Sequence, residues 1–215
     1  LSHPAGVSEE QVKLPVITFV ETLKAGEHGC MFFRSKKRFQ TLQFAFLKSG
    51  LEQNWGAVYA TATEPTDSVK IAMRESGIDV QKYEGDGSLL IVRGEDLYKN
   101  AENPDLQGWT DSAKRVCDNF IAKGKKGARV AADLSSYFLR NKLTKQWFQL
   151  EYILEKRFSL PLTVICGYDA SNVPASSDLD IIDYYKFIRA EKKEYIDSHS
   201  FAIYDNDKKS LIFTI

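Results

Sequence analysis

The sequence predicts an α/β fold, a three-layer α/β/α arrangement with a mainly parallel sheet and a C-terminal antiparallel hairpin. Three observations carry this expectation. Short apolar runs alternate with amphipathic segments along most of the chain. The runs are mostly apolar, as strands covered on both faces are. The last two runs, Phe201–Tyr204 and Leu211–Ile215, flank Asp205-Asn206-Asp207, which has the composition of a hairpin turn.

The elements follow in order. Residues 1–26 read as an N-terminal leader and a first short element, and residues 27–215 as a single domain. Val16–Val20 is too short to separate an edge strand from a short helix, and both readings stay open. Cys30–Phe33 is the first strand. Ser35 is placed to cap a helix in which Phe39, Leu42, Phe46 and Leu47 recur at helical spacing, with Gly50 expected to close it. Trp55–Ala60, Leu89–Val92, Ala128–Ala132 and Leu162–Cys166 are the next strands. Helices are expected over about 66–75, 111–123, 143–157 and 179–196.

Composition excludes several function classes. The 215 residues carry 29 Lys plus Arg against 29 Asp plus Glu, so the chain lacks the basic excess of a non-specific nucleic-acid binder. A hydrophobic content of 43% and a mean hydropathy of −0.32 suit a water-soluble domain, and no apolar run approaches the ~20 residues that span a bilayer. No signal-peptide pattern opens the sequence, and the expected compartment is the cytoplasm. Cys30, Cys117 and Cys166 are too few, and odd in number, for a disulfide framework; they are expected to be free thiols. No two of the cysteines, and no two of His3, His28 and His199, lie close in sequence, so no metal site is expected.

Ligands in such sheets bind beyond the carboxyl ends of the strands. Those ends supply Arg34-Ser35-Lys36, Thr61 to Glu64, Arg93-Gly94-Glu95, Asp133 and Gly167-Tyr168-Asp169. The segment Phe33–Arg38 was weighed as a phosphate loop, but no glycine lies between Cys30 and Phe46, so the backbone cradle is missing and nucleotide hydrolysis is not expected. No G-x-S-x-G elbow occurs. Cys166 is a candidate nucleophile with His28 or His199 as base, but a small core residue is the commoner role for a cysteine ending a strand. Glu151, among Trp147, Phe148 and Tyr152, either faces a pocket or points to water. The 26 aromatic residues are mostly expected in the core.

An ordered set of segments then resembles a known family. Glu27-His28-Gly29-Cys30-Met31-Phe32-Phe33-Arg34-Ser35 and Phe46-Leu47-Lys48-Ser49-Gly50-Leu51-Glu52 resemble the opening of the MEDS domain, the sensory domain of methanogens and methylotrophs found in a dichloromethane-responsive regulator. Gly77-Ile78-Asp79, Gly87-Ser88-Leu89, the helix with Glu151, Cys166-Gly167-Tyr168-Asp169 and His199 match in order, over residues 27–204. The resemblance implies a RecA/KaiC-like fold without a working phosphate loop, and a sensory role toward small organic or one-carbon compounds. Departures from the family pattern are Gly167, Asp133 after the fourth strand, and Ser200 in place of proline.

The leading functional expectation is a non-enzymatic sensory or regulatory domain that binds a small organic ligand and signals through a partner protein or a second copy of itself, with no cofactor. Its ligand-binding residues are expected to be His28, Arg34, Glu151, Tyr168, Asp169 and His199, in one crevice at the strand ends. Gly167 would turn the chain there, Tyr168 would cover the crevice, and Arg34 would pair with Asp169. The alternatives are a degenerate KaiC-like nucleotide binder, a small-molecule enzyme using Cys166 or Glu151, and an interaction module built on helix 143–157.

Overall fold

The computed structural model describes residues 16–97, 106–133, 136–138, 141–154, 158–169, 196–205 and 210–215. Residues 1–15 of the expected leader and first element, and residues 179–195 of the helix expected over about 179–196, lie outside these residues. Of the two readings for Val16–Val20, the helix is found: α1 spans Val16–Glu21. It is followed by β1 (His28–Phe33), α2 (Lys36–Glu52), β2 (Gly56–Thr61), α3 (Thr66–Glu75), α4 (Val80–Gly85) and β3 (Leu89–Arg93). Then come α5 (Gly94–Leu97), α6 (Leu106–Ala122), β4 (Ala128–Ala132), α7 (Thr144–Ile153), β5 (Leu162–Asp169), β6 (Phe201–Asp205) and β7 (Ser210–Thr214).

Local chemistry accounts for most of the boundaries. Ser35 caps α2, its hydroxyl accepting from the Arg38 N–H. Gly50 does not end that helix. It lies inside it, where the stem of Arg129 crosses so closely that a β-carbon would collide with it. The reversal comes later, at Asn54 with φ +67°. Helix α4 was not foreseen; Asp79 caps it by accepting from the Lys82 N–H at 3.0 Å. Helix α6 starts five residues before its expected position, and α7 ends at Ile153 rather than reaching 157.

The seven strands are ordered β3-β2-β4-β5-β1-β6-β7, all parallel except β7, which pairs antiparallel with β6 at the edge. The terminal hairpin therefore exists, but its first strand joins the parallel sheet beside β1. Strand β1 is flanked by β5, with Cys30 opposite Cys166, and by β6, with Cys30 opposite Ala202. Alternation along β1 sends Met31 and Phe33 to one face and His28, Cys30 and Phe32 to the other. On the first face α1 to α4 pack Val20, Phe39, Leu42, Phe46, Val69 and Met73 against the sheet. On the second, α6 contributes Cys117 and Phe120, and α7 contributes Trp147 and Leu150.

Two polar contacts tie the first layer down. Arg129, buried on β4, donates to the Phe46 carbonyl at 2.8 Å, Ser49 Oγ at 2.5 Å, and the Glu21 and Leu23 carbonyls at 3.2 and 3.1 Å. It thereby satisfies acceptors at the ends of α1 and α2. Burial pulls its pKa down to about 10, which leaves it charged at neutral pH. Arg38, in the first turn of α2, donates through two nitrogens to Asp205 at the end of β6, both at 2.7 Å.

Strand β5 runs on to Asp169, so Gly167 is a strand residue and not the turn expected of it. The physical reason is pairing: Gly167, Tyr168 and Asp169 lie opposite Met31, Phe32 and Phe33 of β1, and the missing β-carbon at 167 leaves room for the Phe39 ring, which stacks on Phe33 with centroids 3.9 Å apart. Gly167→Ala is expected to destabilise the chain by ~1–3 kcal/mol through overpacking, whereas Gly85→Ala, with open space around it, should change stability by less than ~1 kcal/mol. Urea unfolding of both variants beside the parent checks this.

Candidate functional site

The second face of the sheet carries a cluster of four side chains from four separate segments. His28 opens β1 and Cys166 lies two residues along the same face of β5. His199 precedes β6 and is held there by Ser200: the Ser200 N–H donates to the His28 carbonyl at 2.6 Å, and its hydroxyl donates to the same carbonyl at 2.9 Å. A proline at this position would have neither donor. The two imidazole rings consequently lie 4.1 Å apart, tilted by 34°.

Glu151 completes the cluster from α7. Trp147, Leu150, Glu151 and Leu154 are all buried, the i, i+3, i+4, i+7 stripe of a helix packed on a sheet, and the carboxylate occupies a position that periodicity assigns to the core. One turn earlier, the Trp147 indole N–H donates to Glu151 Oε1 at 3.1 Å. The other oxygen, Oε2, is 3.5 Å from His199 Nε2 and 3.9 Å from His28 Nε2, and His28 Nε2 is 3.4 Å from Cys166 Sγ. One ligating atom from each of the four residues lies within 4.8 Å of the others. Relative exposures are 0% for His28 and His199, 1% for Glu151 and 2% for Cys166.

Burial governs the protonation of this cluster. It pushes the Glu151 carboxyl up to about 8, opposed by the Trp147 indole and the Cys166 thiol. Burial, reinforced by the nearby Glu151 charge, also raises the thiols of Cys30 and Cys166 well above the ordinary range. An activated nucleophilic cysteine has a depressed pKa, so Cys166 has the opposite character despite its histidine neighbour. All three cysteines are free and buried.

The expected single crevice therefore divides in two. His28, Glu151 and His199 come together, joined by Cys166, which sequence reasoning had assigned to the core. Arg34 and Asp169 lie elsewhere, at the carboxyl ends of β1 and β5, where Phe33 is opposite Asp169. They do share one end of the sheet, as expected. Tyr168 belongs to neither place. It is a buried strand residue beside Phe32 and Trp147, with ring centroids 5.1 and 5.2 Å away, and is no cover for a crevice. The correction follows from β5 continuing through Gly167.

The strand-end rim adds Asp133, buried just after β4, which accepts from Ser136 Oγ at 2.6 Å. Burial raises its carboxyl to about 6; Ser136 and Lys36 oppose the shift, and the Asp169 charge adds to it. Lys36 donates to Thr63 Oγ1 at 2.5 Å and lies 3.5 Å from Glu64. Only Arg34 and Ser35 separate β1 from α2, and Ser35 itself occupies the helix cap. The missing phosphate cradle that the sequence foretold is thus seen as a two-residue connection.

The family model of the MEDS domain, described as "MEthanogen/methylotroph, DcmR Sensory domain", matches residues 27–183. The chain belongs to the MEDS family. The matched span contains His28, Arg34, Glu151, Cys166, Tyr168 and Asp169, and stops before His199. Among solved structures, this MEDS chain is similar to the crystal structure of a KaiC-like protein from the hyperthermophilic archaeon Pyrococcus horikoshii OT3. The likeness has a TM-score of 0.54 and 19% identity, over 89% of this chain and 80% of that one. It shows the KaiC-like fold. No curated protein matches the chain in sequence.

Asp133 yields a prediction for pH dependence. A carboxyl raised in the folded state from 3.8 to about 6 contributes stability that is complete only below pH ~3 and is lost as pH rises through about 6. Asp133→Asn removes that loss, so its stability relative to the parent is expected to rise by about 2 kcal/mol between pH 4 and pH 7. Urea unfolding at both pH values measures it, and a constant difference would contradict the assignment.

Proposed function

We propose that this MEDS domain is a non-enzymatic sensor that binds a small organic ligand and passes the signal to a regulatory partner protein or a second copy of itself. The observation that carries the reading is the buried cluster of His28, Glu151, Cys166 and His199. Buried polar side chains are costly unless they are partnered, and four converge here on one face of the sheet. The family description supports a sensory role. The short connection from β1 to α2, without a glycine-rich cradle, speaks against nucleotide hydrolysis as the output. The raised Cys166 thiol speaks against covalent catalysis. Arg34 and Asp169 at the strand ends form a second polar place, suited to fixing the polar end of a ligand. Free, buried cysteines suit the cytoplasm, and among the described residues no helix is long and apolar enough to cross a membrane.

The test is a calorimetric and thermal-shift screen of the full chain with methanol, methylamine, formate and dichloromethane, with magnesium ATP and ADP as comparison. At least one organic compound is expected to bind and raise Tm. Removing a buried hydrogen-bonding partner costs ~1–3 kcal/mol, so Glu151→Gln is expected to weaken that binding by about 5- to 150-fold. The nucleotides are expected to produce no shift. Binding of magnesium ATP with no response to any organic compound would overturn the reading in favour of a nucleotide binder.

A further inference from the structure

The buried cluster has the composition and spacing of a metal centre, although the sequence shows none of the close ligand pairs by which such centres are usually read. We infer that His28 Nε2, His199 Nε2, Cys166 Sγ and a Glu151 carboxylate oxygen form a binding site for one divalent transition-metal ion of the zinc class. The inference rests on the proposed sensory reading in taking this cluster as the responsive centre, and it adds the chemical class of what the cluster holds.

Geometry is the first argument. Donors at ~2.0–2.3 Å from a tetrahedral ion lie roughly 3.3–3.8 Å from one another. Here the sulfur–nitrogen separation is 3.4 Å, and the two nitrogen–oxygen separations are 3.5 and 3.9 Å. Every pair is within 4.8 Å, so small side-chain adjustments close the shell. The 3.5 and 3.9 Å separations are also too long for strong hydrogen bonds. Glu151 Oε2 is buried and receives no N–H or O–H hydrogen bond, so the imidazoles and the carboxylate face one another across a gap.

Donor chemistry is the second. Two imidazoles, a thiolate and one carboxylate select a borderline ion, while magnesium and calcium take oxygen donors. Charge is the third. With Cys166 and Glu151 as anions the centre sums to +2 − 1 − 1 = 0, which suits a place that excludes water. The thiol proton, and that of Glu151 where it is protonated, pass to the buffer on coordination. Supporting contacts are the fourth. The Trp147 indole holds Glu151 Oε1, and Ser198 Oγ is 3.0 Å from His199 Nδ1, the ring nitrogen left over when Nε2 ligates. Outer contacts of this kind orient metal ligands in known sites.

The experiment uses the full chain, stripped by chelator dialysis and kept reduced with a phosphine, and titrated with cobalt(II) chloride. One equivalent is expected to bind, with the intense visible bands of tetrahedral cobalt and a thiolate-to-cobalt charge-transfer band in the near ultraviolet. Zinc chloride should displace it, and protons should be released. His199→Gln and Glu151→Gln are each expected to weaken cobalt binding at least about 100-fold. Cys166→Ser should abolish the charge-transfer band, and Cys117→Ser should leave it unchanged. If Cys166→Ser loses its far-UV circular dichroism, X-ray absorption of the zinc-loaded parent decides: one sulfur with imidazole neighbours supports the site, and a shell of oxygen and nitrogen alone overturns it.

A folded parent chain that takes up no cobalt, or whose charge-transfer band survives in Cys166→Ser, also overturns the site. In that event an organic compound that still binds in a Glu151-dependent way leaves the sensory reading standing. Metal uptake with no response to any organic compound would uphold the metal centre and remove the support for organic-ligand sensing.

Discussion

The insertion of β1 between β5 and β6 is the pairing on which the site depends. Strand β1 leaves the N-terminal part of the chain and hydrogen-bonds along its length to two parallel strands that arrive more than a hundred residues later. Parallel register leaves little freedom, because a one-residue slip would carry every side chain to the opposite face. With Cys30 opposite both Cys166 and Ala202, His28, Cys166 and the residues leading into β6 are brought to one place on one face. Ser200 reinforces the pairing by donating twice to the His28 carbonyl. Helix α7 then lays Glu151 over the meeting point. Close approach elsewhere depends on missing side chains, with the ring of Phe201 passing over Gly29 and that of Phe39 over Gly167.

The two faces of this sheet bury polar groups in different ways. On one face Arg129 is surrounded by acceptors, three carbonyls and a hydroxyl, and its charge closes the ends of α1 and α2. Its two terminal nitrogens are satisfied within the protein, and the arrangement has a structural purpose. On the other face Glu151 Oε2 lies 3.5 and 3.9 Å from His199 and His28 Nε2, and His28 Nε2 lies 3.4 Å from Cys166 Sγ. Donor atoms gathered around a shared centre are what the proposed metal ion requires.

The β1–α2 connection of this KaiC-like fold contains no glycine-rich loop. In a parallel sheet the first strand-to-helix connection is the natural place for a phosphate, because the helix amides point into it. Here that connection is two residues long and Ser35 caps the helix with its own hydroxyl. The polar groups beyond the strand ends are instead of mixed charge, including Lys36 held by Thr63 and Glu64 and the buried Asp133. Polar groups thus gather in the layer between sheet and α7 as well as beyond the strand ends.

The sequence by itself determined the class of fold, the positions of the first five sheet strands, the Ser35 cap, the terminal hairpin and the lack of a phosphate cradle. These are local properties: runs of apolar residues, caps and glycines act over a few residues, and their physics is written where they stand. The resemblance singled out His28, Glu151 and His199, but it could not separate them from Arg34 and Asp169. Strand order decides which residues meet, and nothing in a strand's own residues states its neighbours. Gly167-Tyr168-Asp169 has the composition of a turn, yet it is strand because it pairs with Met31–Phe33 of β1, with the Phe39 ring over Gly167. Cys166 reads as a small core residue, and it is one; only the arrival of two histidines and a carboxylate from positions 28, 199 and 151 makes it a possible ligand. Tertiary structure alone decided that, because the convergence comes from sheet topology and register, which are properties of the whole chain.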